Sequence, residues 1–392
     1  MPRKMKDVSP DQLPAEQNGG PKYVQIYMQL RQAITESTYK QGDRLPSENE
    51  LVDQFSASRP TIGRALAQLE SEGFIQRRAG SGTYVTERSD TKSLVFGLLI
   101  TELGITEIFE PICKGISQAR LGGLHDLLWG PLFQPDAPKE VQAERLCEYY
   151  LQRSLSGIFF APLELSEGKD EVNLRIACAF DQAHIPIVLL DRDICDYPRR
   201  SKYDLVGIDN RRAGFEITQH LLDCGARRIL FFSRPNSAPT VNLRVLGYRE
   251  ALRAHDNRES EAPVAFGDPA DIVAIRELLA IRKPDAIVCA NDYTAARLMT
   301  TLSSIGVHVP ADVRITGMDD IKYASLLQPA LTTIHQPCSD IGVTALMAML
   351  DRVSHPHAPP RDFLVDFQLI VRNSSGSASP DANHKRKHDR HK

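Results

Sequence analysis

Polar side chains that can bind hydroxyl groups follow several short apolar runs in the second half of the chain. Asp191 and Arg192 come directly after one such run, and Asn291 follows another. Ligands bind beyond the carboxyl ends of the strands in open α/β sheets, so these positions are candidates for ligand contact. The candidate ligand-binding residues are Asp191, Arg192, Arg244, Asn291, Asp319 and Gln336. Carboxylates accept hydrogen bonds, and guanidinium and amide groups donate them, so the set suits a small ligand rich in hydroxyl groups.

A second group of side chains, nearer the N-terminus, suits nucleic acid. Arg59, Thr61 and Arg64 lie on the solvent side at the start of a predicted helix. Arginine can bind guanine O6 and N7 through two hydrogen bonds, and Ser or Thr can bind phosphates or bases. Arg77 and Arg78 lie beside a Gly-Ser-Gly hairpin tip, from which they can reach phosphates or the minor groove.

The elements that must position these arginines form a winged helix-turn-helix. A first helix is predicted over 23–37, because its apolar residues recur at helical spacing. Ser47 and Glu50 form a capping box that begins a second helix, and Gly73 ends a third. A hairpin over 75–85 completes the arrangement, which places the start of the third helix against DNA.

The rest of the chain alternates short apolar runs with amphipathic stretches, which is typical of doubly wound parallel sheets. The runs predicted as strands are 94–100, 127–129, 157–161, 185–191, 205–209, 229–233, 286–290 and 313–317. About 280 residues exceed what one such layer needs, so two lobes are expected. The predicted fold class is therefore α/β, with a winged helix-turn-helix followed by a two-lobed doubly wound domain.

Composition sets the domain limits and excludes several classes of protein. The 392 residues are 42% hydrophobic and 25% charged, and no apolar run is long enough to span a bilayer. No signal peptide pattern is present, so a cytoplasmic protein is expected. The seven cysteines include no CxxC pair and indicate reduced thiols, and no metal or cofactor is expected. The net charge of −3 does not oppose DNA binding, which depends on the local field.

Five segments are predicted from these changes in composition. They are a disordered arm over 1–20, the head over 21–86, a linker over 87–93, the ligand-binding domain over 94–373 and a disordered basic tail over 374–392. Lobe 1 is assigned to about 94–208 and 336–352, and lobe 2 to about 210–334 and 360–373. The tail could attract nucleic acid without specificity, although a solvated tail is the simpler interpretation.

The head resembles the winged-helix head of the GntR family of bacterial regulators. The matching segments are DRLPSENEL at 43–51, SRPT at 58–61, ALAQLESEG at 65–73 and GSGTYV at 80–85. The resemblance implies contacts with DNA from Ser58, Arg59, Thr61 and Gly80. Many members have an arginine where this chain has Gly63, and Arg64 cannot replace it because one helical position rotates a side chain by about 100°. The residues predicted to bind DNA are Arg44, Ser47, Ser58, Arg59, Thr61, Arg64, Arg77, Arg78 and Gly80.

The body resembles the LacI type of effector domain, which shares the two-lobed fold of periplasmic sugar-binding proteins. The matching segments are VGIDN at 206–210, HLLDCGARRI at 220–229, RVLGYR at 244–249, AND at 290–292, GMDD at 317–320 and TTIHQP at 332–337. The six candidate ligand-binding residues match the polar sugar contacts of ribose-type relatives. An aromatic residue that the family often has is replaced by Pro269. Phe109 or Trp129 could stack on the sugar instead, but Trp129 is expected in the core.

A GntR-type head on a LacI-type body is the architecture of arabinose-responsive repressors. The sequence therefore predicts a homodimeric repressor that binds a double-stranded operator and is controlled by a pentose-like sugar held between the lobes. A sugar phosphate, an oligosaccharide or a nucleobase remains an alternative effector. An enzyme is not expected, because the chain lacks a GxGxxG fingerprint, a P-loop, a GxSxG elbow and clustered metal ligands.

Overall fold

The computed structural model of the chain describes residues 22–35, 38–71, 73–78, 81–86, 94–101, 108–119, 125–131, 137–256 and 262–376. The chain divides into two compact units, 1–93 and 94–392. The predicted arm (1–20), the linker (87–93) and Gly80 lie outside the described residues, as does the tail from 377 onward.

The first unit has three helices and a two-stranded hairpin. They are α1 (Lys22–Thr35), α2 (Glu48–Phe55), α3 (Arg59–Ser71), β1 (Ile75–Arg78) and β2 (Gly82–Val85). The strands β1 and β2 pair antiparallel. The apolar faces of the helices meet in one core, so the predicted winged helix-turn-helix is confirmed.

The capping box sets the start of α2 as predicted. The backbone N–H of Ser47 donates to the carboxylate of Glu50 over 2.6 Å, and the backbone N–H of Glu50 donates to Ser47 Oγ over 3.3 Å. The helix ends at Ser56, whose φ of 45° is left-handed and turns the chain toward α3.

The second unit alternates strands and helices along its whole length. Its strands are β3 (Leu94–Leu99), β4 (His125–Leu128), β5 (Gly157–Phe160), β6 (Ile187–Leu190), β7 (Asp204–Gly207), β8 (Ile229–Ser233), β9 (Val264–Phe266), β10 (Ala286–Cys289), β11 (Arg314–Thr316), β12 (Thr333–His335), β13 (Asp362–Leu364) and β14 (Gln368–Ile370). Its helices are α4 (Phe109–Gln118), α5 (Lys139–Leu151), α6 (Lys169–Gln182), α7 (Asn210–Asp223), α8 (Pro239–Asp256), α9 (Ile272–Arg282), α10 (Asp292–Ser304) and α11 (Cys338–Ser354).

These strands form two parallel sheets, one for each lobe. Lobe 1 has the order β13-β7-β6-β5-β3-β4, and lobe 2 has the order β11-β10-β8-β9. A small antiparallel pair, β12 and β14, accompanies lobe 2. The chain crosses between the lobes after β7, between β12 and α11, and after β13. The predicted two-lobed α/β fold class is confirmed.

Two predicted boundaries in the C-terminal region are wrong. The segment 360–373 was assigned to lobe 2, but only its second strand, β14, lies there with β12, whereas β13 pairs with β7 at the edge of the lobe 1 sheet. The tail was predicted to start at 374, yet Ser374 and Ser375 are buried. Ser374 Oγ donates to the carbonyl oxygen of Ile315 over 2.6 Å, and Ser375 Oγ lies 2.8 Å from His220 Nε2. These hydrogen bonds hold a serine pair that its composition alone assigns to the disordered tail.

Helices α7 and α8 approach so closely that only glycine fits between them. A Cβ atom on Gly247 would lie 1.9 Å from the carbonyl oxygen of Arg211, and one on Gly214 would lie 2.2 Å from that of Arg244. Because these two positions have no side chain, the backbones of α7 and α8 come into contact. This contact fixes α8, which carries Arg244, against the rest of lobe 2.

Lobe 1 has the same arrangement between α4 and α11. A Cβ atom on Gly115 would lie 2.2 Å from the carbonyl oxygen of Ser339, and one on Gly342 would lie 2.1 Å from that of Ile112. Each lobe therefore contains one pair of helices whose backbones are in direct contact. Among the described residues, no helix has both the length and the apolar character needed to cross a membrane.

Candidate ligand cavity and nucleic-acid interface

A cavity of about 120 Å³ lies between the two lobes, beyond the carboxyl ends of strands from both sheets. Five of the six predicted ligand-binding residues line it, namely Asp191, Arg192, Arg244, Asn291 and Asp319. Four of them follow strands of the two sheets and Arg244 lies in the second turn of α8, so the fold brings together residues up to 128 positions apart (191 to 319).

Asp191 presents an unused acceptor to this cavity. It follows β6 with a left-handed φ of 68°, and its backbone N–H donates to the carbonyl oxygen of Val206 over 2.8 Å. Its side chain is buried, and Oδ1 has no hydrogen-bond partner among the described residues. Burial raises the pKa of the Asp191 carboxyl, and nearby Arg192 opposes the rise. A ligand hydroxyl would supply the missing donor.

Arg192 is held by an acidic residue that the sequence analysis missed. Its Nη1 lies 2.5 Å from Glu164 Oε1, and its guanidinium group packs 5.3 Å from the ring centre of Phe109. Burial raises the pKa of Glu164, but the charge and hydrogen bond of Arg192, the charge of Arg234 and the Ala238 N–H together outweigh it and leave the pKa below its ordinary value. Glu164 also accepts a hydrogen bond from the backbone N–H of Ala238 over 3.1 Å, across the lobes.

Arg244 and Asn291 are positioned by neutral partners. Arg244 Nε donates to Asn210 Oδ1 over 2.7 Å, and Nη1 donates to the carbonyl oxygen of Ala290 over 2.6 Å. Asn291 caps α10, because its Oδ1 accepts from the backbone N–H of Thr294 over 2.9 Å. Its amide NH₂ group is then the part that can donate to a ligand.

Asp319 lines the cavity, whereas Gln336 lies behind it. Gln336 Nε2 donates to Asp319 Oδ1 over 2.7 Å, and Gln336 is itself buried and absent from the cavity wall. Gln336 was predicted to contact the ligand, but it orients the Asp319 carboxylate and does not face the cavity. Burial, with a smaller contribution from Asp191, raises the pKa of Asp319 to about 7, while Arg244 opposes the rise.

The aromatic residues at the cavity differ from those expected. Phe109 is fully buried and Trp129 is 48% exposed, so Trp129 is not in the core, and neither residue lines the cavity. Tyr293 and Tyr323 line it instead, and the Tyr293 ring lies 4.8 Å from the guanidinium of Arg234. Tyr293 follows Asn291 at the start of α10, where a strand-end search could have found it.

The head places several predicted DNA-binding side chains on one exposed region. Arg59 has a side chain that is 70% exposed, and its Nε lies 3.4 Å from Glu48. The hydroxyl groups of Ser58 and Thr61 are 2.7 Å apart in the first turn of α3. Arg64 stacks over the ring of Tyr23, 4.0 Å from its centre, and so leans toward α1.

The remaining basic residues of the head connect the hairpin to the helices. Arg77 Nη2 donates to the carbonyl oxygen of Gly63 over 3.0 Å, and its Nε lies 3.5 Å from Glu70. Arg78 packs 5.1 Å from the ring centre of Tyr84. Arg44 also borders the hairpin, because a Cβ atom on Gly82 would lie 2.5 Å from its Nε. Contacts with DNA by these residues, and by Ser47, stay predictions.

The described residues contain no group of three or more His, Cys, Asp or Glu side chains arranged to hold a metal ion. All seven cysteines are free thiols.

Comparisons with known proteins agree with this architecture. The family of bacterial regulatory proteins named gntR matches residues 22–85, and the periplasmic binding protein-like domain matches residues 218–375. The arabinose metabolism transcriptional repressor of Geobacillus stearothermophilus is 30% identical over 376 residues, which are 91% of this chain and 98% of that repressor. The chain belongs to the same family of transcriptional repressors as this relative, with a gntR-type head and a periplasmic binding protein-like body.

The regulator also matches a second relative in sequence and in structure. The HTH-type transcriptional regulator CelR of Thermobifida fusca is 30% identical over 331 residues, covering 82% of this chain and 91% of CelR. A solved structure described as a complex of transcriptional regulator CelR with cellobiose superposes with a TM-score of 0.59 and 25% identity, over 81% of the regulator and 90% of that chain. The predicted combination of a GntR-type head with a LacI-type body is confirmed.

Proposed function

We propose that the regulator is a repressor whose affinity for its operator is controlled by a small, pentose-like sugar bound between the lobes. The observation that carries this proposal is the convergence of Asp191, Arg244, Asn291 and Asp319 on one cavity. The arabinose metabolism repressor and the CelR–cellobiose complex are sugar-related by name, which supports the same class of effector. The proposal assigns no catalytic step.

The cavity offers acceptors and donors in the mixture that hydroxyl groups require. Asp191 Oδ1 and the Asp319 carboxylate accept, while the Arg244 guanidinium and the Asn291 amide donate. Each sugar hydroxyl can donate to a carboxylate and accept from a guanidinium or an amide at the same time. Loss of a hydroxyl would leave a buried polar group unpaired, which costs about 1–3 kcal/mol and gives the site its selectivity.

Effector binding would be coupled to closure of the lobes. The lobes contact each other through the Leu165 N–H, which donates to the carbonyl oxygen of Asn236 over 2.6 Å, and through Asn242 Nδ2, which donates to Asp196 Oδ1 over 3.0 Å. A sugar that touches both lobes adds to these contacts only in the closed form. It therefore shifts the equilibrium by its difference in affinity for the closed and open forms.

A homodimer would place two heads on two operator half-sites. Large apolar side chains support an interface on lobe 2, where Val273 and Ile281 of α9 and Phe266 of β9 are exposed. Ile281→Glu is expected to produce monomers in sedimentation velocity runs. Exposed Leu174→Glu on α6 in lobe 1 is the matched control. A dimer that survives Ile281→Glu unchanged would place the interface elsewhere.

The sugar site is tested first by thermal shift with pentoses and hexoses. A ligand present at a hundred times its dissociation constant adds about 2.7 kcal/mol of stability. Asp191→Asn is expected to remove the shift and the sugar response while operator affinity is unchanged. Asp340→Asn, an exposed carboxylate in the first turn of α11, is the control. If Asp191→Asn retained the full shift, the site assignment would be wrong.

The DNA side is tested with an operator selected from random sequences by the wild-type protein. Arg59→Ala is expected to weaken specific binding by about 1–3 kcal/mol in gel-shift titrations if Arg59 contacts a base. Lys40→Ala, which removes another exposed cation of the head, controls for a general loss of charge. Equal affinities for the wild type and Arg59→Ala would reject the base contact.

A further inference from the structure

The cavity contains more basic side chains than the recognition of hydroxyl groups requires. The basic residues in its wall are Lys139, Arg192, Arg234 and Arg244. The acidic residues in its wall are Glu164, Asp191 and Asp319. Even with all three acids ionised, the wall has an excess of positive charge. The raised pKa of Asp319, about 7, increases that excess near neutral pH.

The ion pairs within the wall are unevenly distributed. Arg192 lies 2.5 Å from Glu164 and 3.7 Å from Asp191, so two of the three acids surround one arginine. Among the described residues, neither Arg234 nor Arg244 has a carboxylate oxygen within the 4.0 Å that defines an ion pair. Hydrogen bonds to Asn210 Oδ1 and to the carbonyl oxygen of Ala290 hold the Arg244 guanidinium group in the part of the cavity that would bind hydroxyl groups. Arg234 acts on Glu164 from a greater distance, where it helps to lower the pKa of that carboxyl, and no hydrogen bond directs its guanidinium group to another described residue.

Lys139 and Arg234 border the same loop, so they define what we call the basic end of the cavity. The loop that follows β5 contacts the start of α5, where a Cβ atom on Gly168 would lie 3.7 Å from Glu140. The same loop contacts the segment after β8, because Leu165 N–H donates to the carbonyl oxygen of Asn236. Lys139 is the first residue of α5, and Arg234 directly follows β8.

A helix start adds to the positive potential of the cavity. Thr240 and Val241, in the first turn of the 18-residue helix α8, also line the cavity. Backbone N–H groups at a helix N-terminus attract anions. The ring of Tyr293 supports the Arg234 guanidinium from one face, 4.8 Å away, and leaves its N–H groups as the donors for a ligand.

We propose that the effector is an anionic sugar, whose phosphate or carboxylate group binds Lys139 and Arg234 at the basic end. Its hydroxyl groups bind the remaining polar residues of the cavity, so the inference rests on the proposed function and narrows its ligand class. Among the described residues Arg234 has no carboxylate at ion-pair distance, and Glu164 attracts it only from further away, so an anionic group of the effector would be its first direct charged contact. A planar guanidinium and an ammonium in one cavity wall can both bind the oxygens of a phosphate or a carboxylate.

The test is calorimetric titration of the full chain with matched ligands. L-arabinose, D-ribose and D-xylose are each compared with their 5-phosphates and their aldonic acids. For the sugar that fits, one anionic form is expected to bind at least about tenfold more tightly than the neutral form at about 50 mM salt. That advantage is expected to shrink as salt is raised, because a charge contact at a cavity mouth is screened. The phosphate and aldonate arms distinguish the two anions.

Variants separate the basic end from the hydroxyl contacts. The double variant Lys139→Gln with Arg234→Gln is expected to lose about tenfold or more in affinity for the anionic form while it binds the neutral sugar within about threefold of wild type. Arg297→Gln, an exposed arginine on α10, is the charge-matched control and is expected to change neither affinity.

Three outcomes would contradict the inference or its basis. Neutral sugars that bind as tightly as both anionic forms would overturn the anionic effector and leave the proposed function standing. An equal loss of neutral and anionic binding in the double variant would show that the basic end holds the lobes together instead of binding an anion. Failure of every sugar, sugar phosphate and aldonate to bind would overturn the proposed function itself.

Discussion

Replacement of Asp319 by asparagine should stabilise the second unit and remove its response to sugar. The native carboxyl has a pKa of about 7, raised from 3.8 mainly by burial. The native state therefore retains a proton that the unfolded chain has lost between these two pH values. Stability falls as pH rises through this window, and the full cost of the buried charge is present above about pH 7.

The size of the effect follows from the gap between the two pKa values. A gap of roughly three units corresponds to a ceiling on the order of 4 kcal/mol at about 1.4 kcal/mol per unit. The variant recovers only part of this, because Arg244 loses an attractive charge. Asparagine Oδ1 can still accept the hydrogen bond from Gln336. We expect Asp319→Asn to raise the free energy of unfolding by about 1–3 kcal/mol at about pH 8 and to change it little at about pH 4.

The measurement is urea unfolding followed by circular dichroism at both pH values, without sugar, for wild type, Asp319→Asn and the exposed control Asp340→Asn. Thermal shift with the effector gives the second readout, because an amide cannot replace a carboxylate acceptor in full. A variant less stable than wild type at about pH 8 would refute the argument. A gain of the same size at both pH values would also refute it, because the effect would then not come from ionisation.

Three further changes test the packing, the cap and the closure. Gly247→Ala should lower the free energy of unfolding by about 1–3 kcal/mol in urea titrations, because its Cβ would meet the Arg211 carbonyl; an unchanged midpoint would mean that α7 and α8 separate freely. Ser47→Ala should destabilise the head by about 1 kcal/mol and lower its melting temperature. An unchanged melting temperature would mean that the Ser47 cap does not stabilise α2. Asn242→Ala should weaken effector binding by about 0.5–1.5 kcal/mol in calorimetry, because it removes a hydrogen bond to Asp196 that forms only when the lobes close. Stability without effector should change little, and a large loss of stability would mean that this hydrogen bond is not specific to the closed form.

The sequence predicted the ligand-binding residues best where the local pattern of apolar residues alone determines their position. Asp191 and Asn291 follow apolar runs that can only be buried strands, so their place at a sheet edge followed directly. Gln336 also follows a strand, yet it lies one layer behind the cavity wall. Sequence order gives the edge at which a side chain lies but not its depth, which depends on the length and direction of its neighbours.

Residues from loops and helix starts were missed because tertiary packing brings them to the cavity. Glu164, Arg234 and Tyr293 come from three separate loops or helix starts, and their proximity depends on how the lobes close. The edge strand β13 has an alternating, largely exposed pattern without an apolar run, so nothing local distinguishes it from a loop. Ser375 was predicted as part of the disordered tail, but it is buried beside His220, 155 positions away.

The direct backbone contacts at Gly214 and Gly247, and at Gly115 and Gly342, limit where this regulator can bend. If each lobe moves as one body, a ligand's effect would pass to the head as a rotation about the three chain segments that join the lobes. Substitutions that uncouple sugar from DNA without weakening either should therefore cluster in those joining segments, after β7, before α11 and after β13. Screens for unresponsive or constitutive regulators could begin with a library of fewer than about thirty positions there, instead of the whole body.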